Sequence, residues 1–165
     1  MRKTKGSKGK LEELHKKIAS LHFLDPACGC GNLLIITYRE LRDLEILILL
    51  ELNRTGQLVT DVNSIIQVDV DQFAGIEYDE FAVRVAEVAM WLIDHQMNVK
   101  VSNQFGQYFV RLLLKKGAKI LHGNLLRIDW ESVVAKEKLR ACSRSFDPPN
   151  SPLERGTFLV FSPIV

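Results

Sequence analysis

The chain has 165 residues, 47% hydrophobic and 25% charged, with a formal net charge of +2. That length suits one domain with a core of useful size, the balance excludes a disordered chain, and the charge is too small to argue for nucleic acid by itself. Three cysteines with no C-x-x-C pair fit a reducing cytoplasm, the expected location, better than a disulfide framework.

The first ten residues, Met1 to Lys10, are basic and small. No apolar run follows the charges, so the segment does not read as a secretory signal. A solvated, flexible tail over 1–10 is the expectation, with contact to a DNA backbone as the lesser alternative. Leu11, Leu14 and Ile18 then recur at helical spacing and predict a short helix from Leu11 to Ala19.

Leu21 to Leu24 is a short apolar run that ends in Asp25 and turns through Pro26-Ala27-Cys28-Gly29-Cys30-Gly31. Leu33 to Ile36 then opens a helix. This is how a buried parallel strand hands over to a helix whose N-terminus faces a ligand. Pro26 ends the strand, and Gly29 and Gly31 let a ligand approach the backbone. Asp25 stands at the carboxyl end of the strand, where open α/β sheets bind their ligands. A dinucleotide loop needs a third glycine, and Leu34 occupies that place. Zinc at His22, Cys28 and Cys30 is not expected, because the C-x-C lacks a second pair, and no metal site is assigned.

The helical pattern after Asn32 reaches Asn53, with Leu34, Tyr38, Leu41, Leu44, Leu47 and Leu50 as the expected core stripe. Its apolar stretch Ile46–Leu50 is too short to span a membrane and suggests a helix end covered on several sides, by parts missing from this chain. Leu58 to Gln72 reads as an insertion with Asp61, Asp69 and Asp71 as solvated loop charges, since no calcium-loop glycine or distal Glu accompanies them. Phe73 to Glu77 predicts a second strand tipped by an acid, which can accept hydrogen bonds from both hydroxyls of a ribose. Glu80 to Asn98 predicts a helix with Phe81, Val85, Val88, Ala89, Leu92 and Ile93 on its core face. Val99 to Gly117 reads as a loop or hairpin crossing. A third strand near 118–122 leads into Gly123-Asn124, and taken alone Asn124 reads as a turn residue.

Asp-Pro-Ala-Cys-Gly-Cys-Gly-Asn over 25–32 resembles the first motif of amino-group DNA methyltransferases, in which Asp-Pro-Ala-x-Gly-Ser/Thr-Gly leads into a helix. Trp91 to Asn98 is similar to the Leu-Trp-Leu-x-x-His-Gln-x-Asn segment of large restriction-modification methylases; no catalytic role is assigned to it. The match to type I and type IIG adenine-specific (N6) DNA methyltransferases covers about residues 10–138. It implies a partial doubly wound, Rossmann-like α/β sheet with helices on both faces, as in class I S-adenosylmethionine-dependent methyltransferases. It implies S-adenosylmethionine as cofactor, held by Asp25, Pro26, Ala27, Gly29, Gly31, Glu77 and Asn124, the last at the cofactor adenine. Cys30 stands where the family has a small hydroxyl residue.

The family's next strand ends in Asn-Pro-Pro-Phe, which receives the target amine and stacks on a flipped adenine. Here Leu139 to Phe146 holds no apolar run for a buried strand, and Asp147-Pro148-Pro149-Asn150 follows. Asp147, Pro148 and Pro149 are the catalytic candidates, but Asn150 cannot stack as an aromatic ring does. Residues 139–165 are expected to be an irregular tail that replaces family sequence, as truncation or a frame shift produces. Thr157 to Phe161 reads as a strand or an apolar tail.

The organisation expected is thus a tail over 1–10, a cofactor-binding part over 11–138 and the atypical tail. By resemblance the function is adenine-N6 methylation of DNA within a restriction-modification system. The target-recognition region and the remaining part of the methylase lie elsewhere, and no membrane is involved. Two alternatives stand beside it: a non-catalytic remnant or cofactor-binding module of a split enzyme, and a methyltransferase acting on RNA or protein.

Overall fold

The computed structural model describes residues 3–53, 65–106, 117–129, 133 and 158–160. Helix α1 (Lys3–Ala19) leads into strand β1 (His22–Asp25) and helix α2 (Asn32–Asn53). A short 3-10 turn (Val70–Gln72), capped reciprocally by Asp69 and Gln72, precedes β2 (Phe73–Glu77). Helix α3 (Glu80–Phe105), β3 (Lys119–His122) and β4 (Phe158–Val160) complete the elements.

The four strands form one parallel sheet in the order β3-β2-β1-β4. Winding runs outward from β1 through β2 to β3, and β4 then lies on the opposite side of β1. Buried on both faces, β1 and β2 read as continuous apolar runs, as parallel strands do. Phe23 pairs in register with Phe73, and their rings stack 4.8 Å apart. These rings face the cluster formed by α1, α2 and α3, with Ile18, Leu34, Tyr38, Val83, Ala86 and Met90. Leu24, Ala74 and Ile76 face the other way and meet Val133, Leu125 and Ile128.

Strand positions and the bounds of α2 match the sequence expectation; four other features differ. Helix α1 starts at Lys3, ahead of the expected Leu11. Its last turns are anchored by the buried His15 and Ile18, and once nucleated a helix adds one hydrogen bond per residue, which here carries it back through Gly6 and Gly9 despite their poor helix propensity. Helix α3 continues past Asn98 to Phe105, ending where Gly106 takes the left-handed conformation (φ 64°); no breaker stands earlier. Residues 158–160 join the sheet as β4, the strand alternative read for Thr157 to Phe161, within a segment 139–165 otherwise expected to be an irregular tail. Phe-Leu-Val is a strand-forming triplet that fits beside β1.

The fourth difference lies in the helix faces. On α2 the buried positions are Leu34, Tyr38, Arg42, Glu45, Ile46, Ile48 and Leu49, while Leu47 is 63% exposed and Leu44 and Leu50 are exposed as well. On α3 the buried positions are Val83, Ala86, Met90, Ile93, Asp94, Met97, Asn98 and Val101, and Phe81, Val88 and Leu92 point to solvent. The cause is a polar network inside the helical layer. Tyr38 OH donates to Asp94 Oδ1 (2.6 Å), and Asn98 Nδ2 donates to Asp94 Oδ2 (3.1 Å). Arg42 reaches Asn98 Oδ1 (2.9 Å), the Val68 carbonyl and Glu45 Oε2 (3.0 Å). Glu45 Oε1 takes the backbone N–H groups of Gln67 and Val68 and bonds His15 Nε2 at 2.9 Å. Arg42 and Glu45 are both 0% exposed, and such a charge pair stays buried only when paired and hydrogen-bonded.

Candidate functional site

The loop between β1 and α2 is tied down at several points. Asp25 Oδ1 accepts the Ala27 N–H at 3.1 Å. The Cys28 N–H donates to the Ile76 carbonyl of β2, and the Gly31 N–H to the Cys28 carbonyl. Gly31 has φ 81°, and a Cβ there would stand 3.2 Å from the Ala86 Cβ, so α3 passes where only glycine is comfortable. Gly75 serves the loop from below: a Cβ on it would come within 2.7 Å of Cys28 Sγ.

Glu77 ends β2 beside this loop. Its Oε2 accepts the Gly29 N–H at 2.8 Å, and its Oε1 accepts those of Tyr78 (2.8 Å) and Asp79 (3.0 Å). The Glu77 carbonyl takes the Gly123 N–H at 2.8 Å. Asn124 follows Gly123, and its Oδ1 accepts the Leu126 N–H at 2.9 Å. The turn role read for Asn124 in isolation is therefore realised, and one lone pair of that oxygen is left.

These three strand ends enclose a crevice of about 180 Å³, lined by Pro26, Ala27, Ile76, Glu77, Tyr78, Gly123, Asn124 and Leu125. The volume is below that of a full small-molecule pocket and has room for one end of an elongated ligand. Apolar walls with an acid on one side and an amide on the other suit a base attached to a sugar. The structure thus brings Pro26, Ala27, Glu77 and Asn124 together in one crevice, with Gly29 bonded to its rim. Asp25 is buried behind the loop, and Gly31 sits at the α2 start, against α3. Asp147, Pro148 and Pro149 lie outside the described residues. Sequence reasoning missed Tyr78 and Leu125, whose signal is adjacency to Glu77 and Asn124. It also missed Gly75, where a glycine inside a strand marks a close approach.

Burial raises the Asp25 carboxyl above its ordinary pKa; the Ala27 N–H pulls it down, and the Glu77 charge adds a smaller upward push. Burial first, then the charges of Asp25 and Glu77, drive the Cys28 thiol up to about 12. Cys28 is therefore a neutral packing group at physiological pH, unsuited to act as a nucleophile. Among the described residues no three His, Cys, Asp or Glu side chains gather as metal ligands do, and no helix is long and apolar enough to cross a membrane.

Three comparisons bear on this geometry. A family model described as the MmeI DNA-methyltransferase domain matches residues 1–155. The protein named DNA methyltransferase A from Bacillus subtilis (strain 168) is 39% identical over 125 residues, which cover 75% of this chain and 14% of that protein. A solved chain of the type IIL restriction-modification enzyme MmeI, in complex with DNA, is 56% identical with a TM-score of 0.73, covering 78% of this chain and 17% of the solved one. The chain thus spans less than a fifth of the length of either relative.

Proposed function

The chain belongs to the family of the MmeI DNA-methyltransferase domain, and on that premise we propose that it forms the S-adenosylmethionine-binding part of an adenine-N6 DNA methyltransferase from a restriction-modification system. The observation that carries this reading is the Glu77 carboxylate, bonded to the Gly29 N–H and facing Asn124 across one crevice.

The residues present fit the cofactor. Glu77 Oε2 keeps a lone pair for the ribose hydroxyls, and the Asn124 amide oxygen keeps one for the adenine amine. Pro26, Ile76 and Leu125 supply apolar walls for the base. Gly29 and Gly31 shape the loop for the methionine end, and Asp25 anchors that loop through Ala27. When bound, S-adenosylmethionine supplies an electrophilic methyl group on a cationic sulfur. The chain's own contribution is to bind, orient and exclude water. Asp147, Pro148 and Pro149 are the candidates for receiving the target amine, and DNA is engaged through the complete enzyme, acting in the cytoplasm. The alternative remains a non-catalytic remnant or cofactor-binding module of a split enzyme, which the methyl-transfer assay below separates from an active methyltransferase.

Calorimetric titration with S-adenosylmethionine tests the proposal. Glu77→Ala is expected to weaken binding at least about tenfold, as loss of charge-assisted hydrogen bonds does; unchanged affinity rejects the ribose role. Methyl transfer to adenine-containing duplex DNA, with and without the remaining methylase polypeptide, tests the activity. Transfer to RNA or protein and not to DNA overturns the restriction-modification reading.

A further inference from the structure

Helix α3 carries a second apolar stripe, on the side away from the sheet. Phe81, Val85, Val88, Leu92, His95 and Val99 succeed one another at alternating steps of four and three residues, the spacing of a coiled-coil seam. Phe81, Val88, Leu92 and Val99 are 77%, 63%, 46% and 46% exposed. His95, the one polar member, stacks on Trp91 with ring centroids 6.2 Å apart.

The neighbouring helix extends the stripe sideways. The bonds Tyr38–Asp94 and Arg42–Asn98 share an offset of 56 positions, so α2 and α3 run parallel and Ile36 stands level with Leu92. Ile36 and Leu33 are exposed too. Charged pairs frame the patch: Arg84 with Glu87 and Glu80 toward one end, and Lys100 with Asp43 (2.7 Å) toward the other. An apolar centre with an ionic rim is the anatomy of a protein interface. Lone exposed apolar residues need no explanation, whereas a seam in strict heptad spacing does.

We infer that this seam is the docking surface for an amphipathic helix from the remaining methyltransferase polypeptide. The relatives supply the argument for the occupant: the solved MmeI chain is matched over 17% of its length, so most of the related polypeptide is available to cover it. A helix presents its own seven-residue repeat to such a seam at a shallow crossing angle. Because Phe81 lies four residues beyond Glu77, the docked helix ends beside the crevice. The inference rests on family membership and is independent of the cofactor roles assigned above.

The test uses the full 165-residue chain, tagged, co-expressed with the part of the MmeI polypeptide that lies outside the matched region. Co-purification as a one-to-one complex is expected. Val88→Asp with Leu92→Asp should weaken it at least tenfold, while circular dichroism and S-adenosylmethionine titration of the variant stay those of the parent chain. Capture undiminished by the double substitution overturns the inference, as does no capture at all. Sedimentation of the chain alone as a dimer that the same pair dissolves assigns the seam to a second copy instead. A cofactor titration that fails while capture succeeds overturns the proposed cofactor role and leaves the seam standing.

Discussion

The crevice and the helical layer behind it are built on opposite principles. At the crevice, backbone amides are gathered by a few acceptors at strand ends, and chain order alone places them: Asp25 ending β1, Glu77 ending β2, Asn124 just beyond β3. In the helical layer, charged side chains far apart in sequence are buried against one another, His15 and Glu45 through Arg42 to Asn98 and Asp94. The first arrangement is local and readable; the second depends on two helices meeting in one register.

The sharpest break in that comparison is Arg42→Ala. It leaves Glu45 charged and buried with fewer partners, and urea denaturation should show a loss of about 3–5 kcal/mol. Next comes Leu34→Ala, at a position fully buried under the sheet, expected to cost about 2–5 kcal/mol by the same measurement. A subtler contrast concerns pH at the crevice. The Asp25 pKa is raised in the folded chain, so its neutral form favours folding. That contribution is complete below the unfolded value, 3.8, and is lost as pH rises through the folded one. Asp25→Asn keeps an oxygen for the Ala27 N–H and should flatten this fall in stability, read from denaturation midpoints across the acid range. The smallest effect belongs to Leu47→Ala. On an exposed face it should change stability by less than about 0.5 kcal/mol; a loss rivalling that of Leu34→Ala would return Leu47 to the core.

Strand ends were legible because each apolar run stops at an acid or a Gly-Asn step, and the helix start was legible because two glycines stand before Asn32. The helix faces were not, for a physical reason. Helix α2 carries leucines on every side, so periodicity offered Leu41, Leu44, Leu47 and Leu50 as a stripe, whereas the buried wedge is Arg42 and Glu45. Hydropathy penalises such residues and has no term for the Gln67 and Val68 amides that satisfy Glu45. On α3 the heptad of Phe81, Val88 and Leu92 outshone the mixed row of Val83, Ala86, Met90 and Asp94. The stronger apolar pattern faced outward because the inner one is shared with polar side chains of α2.

Glu77 holds loop amides on both sides of it, Gly29 through its side chain and Gly123 through its carbonyl, together with its own Tyr78 and Asp79. Three connections that leave three different strands are therefore pinned to one another through a single residue, by its side chain and its backbone carbonyl. Reshaping the crevice loop by loop, to accept an altered cofactor, runs against that common pin. Engineering there is better begun at the Tyr78 side chain, which lines the opening and is 74% exposed.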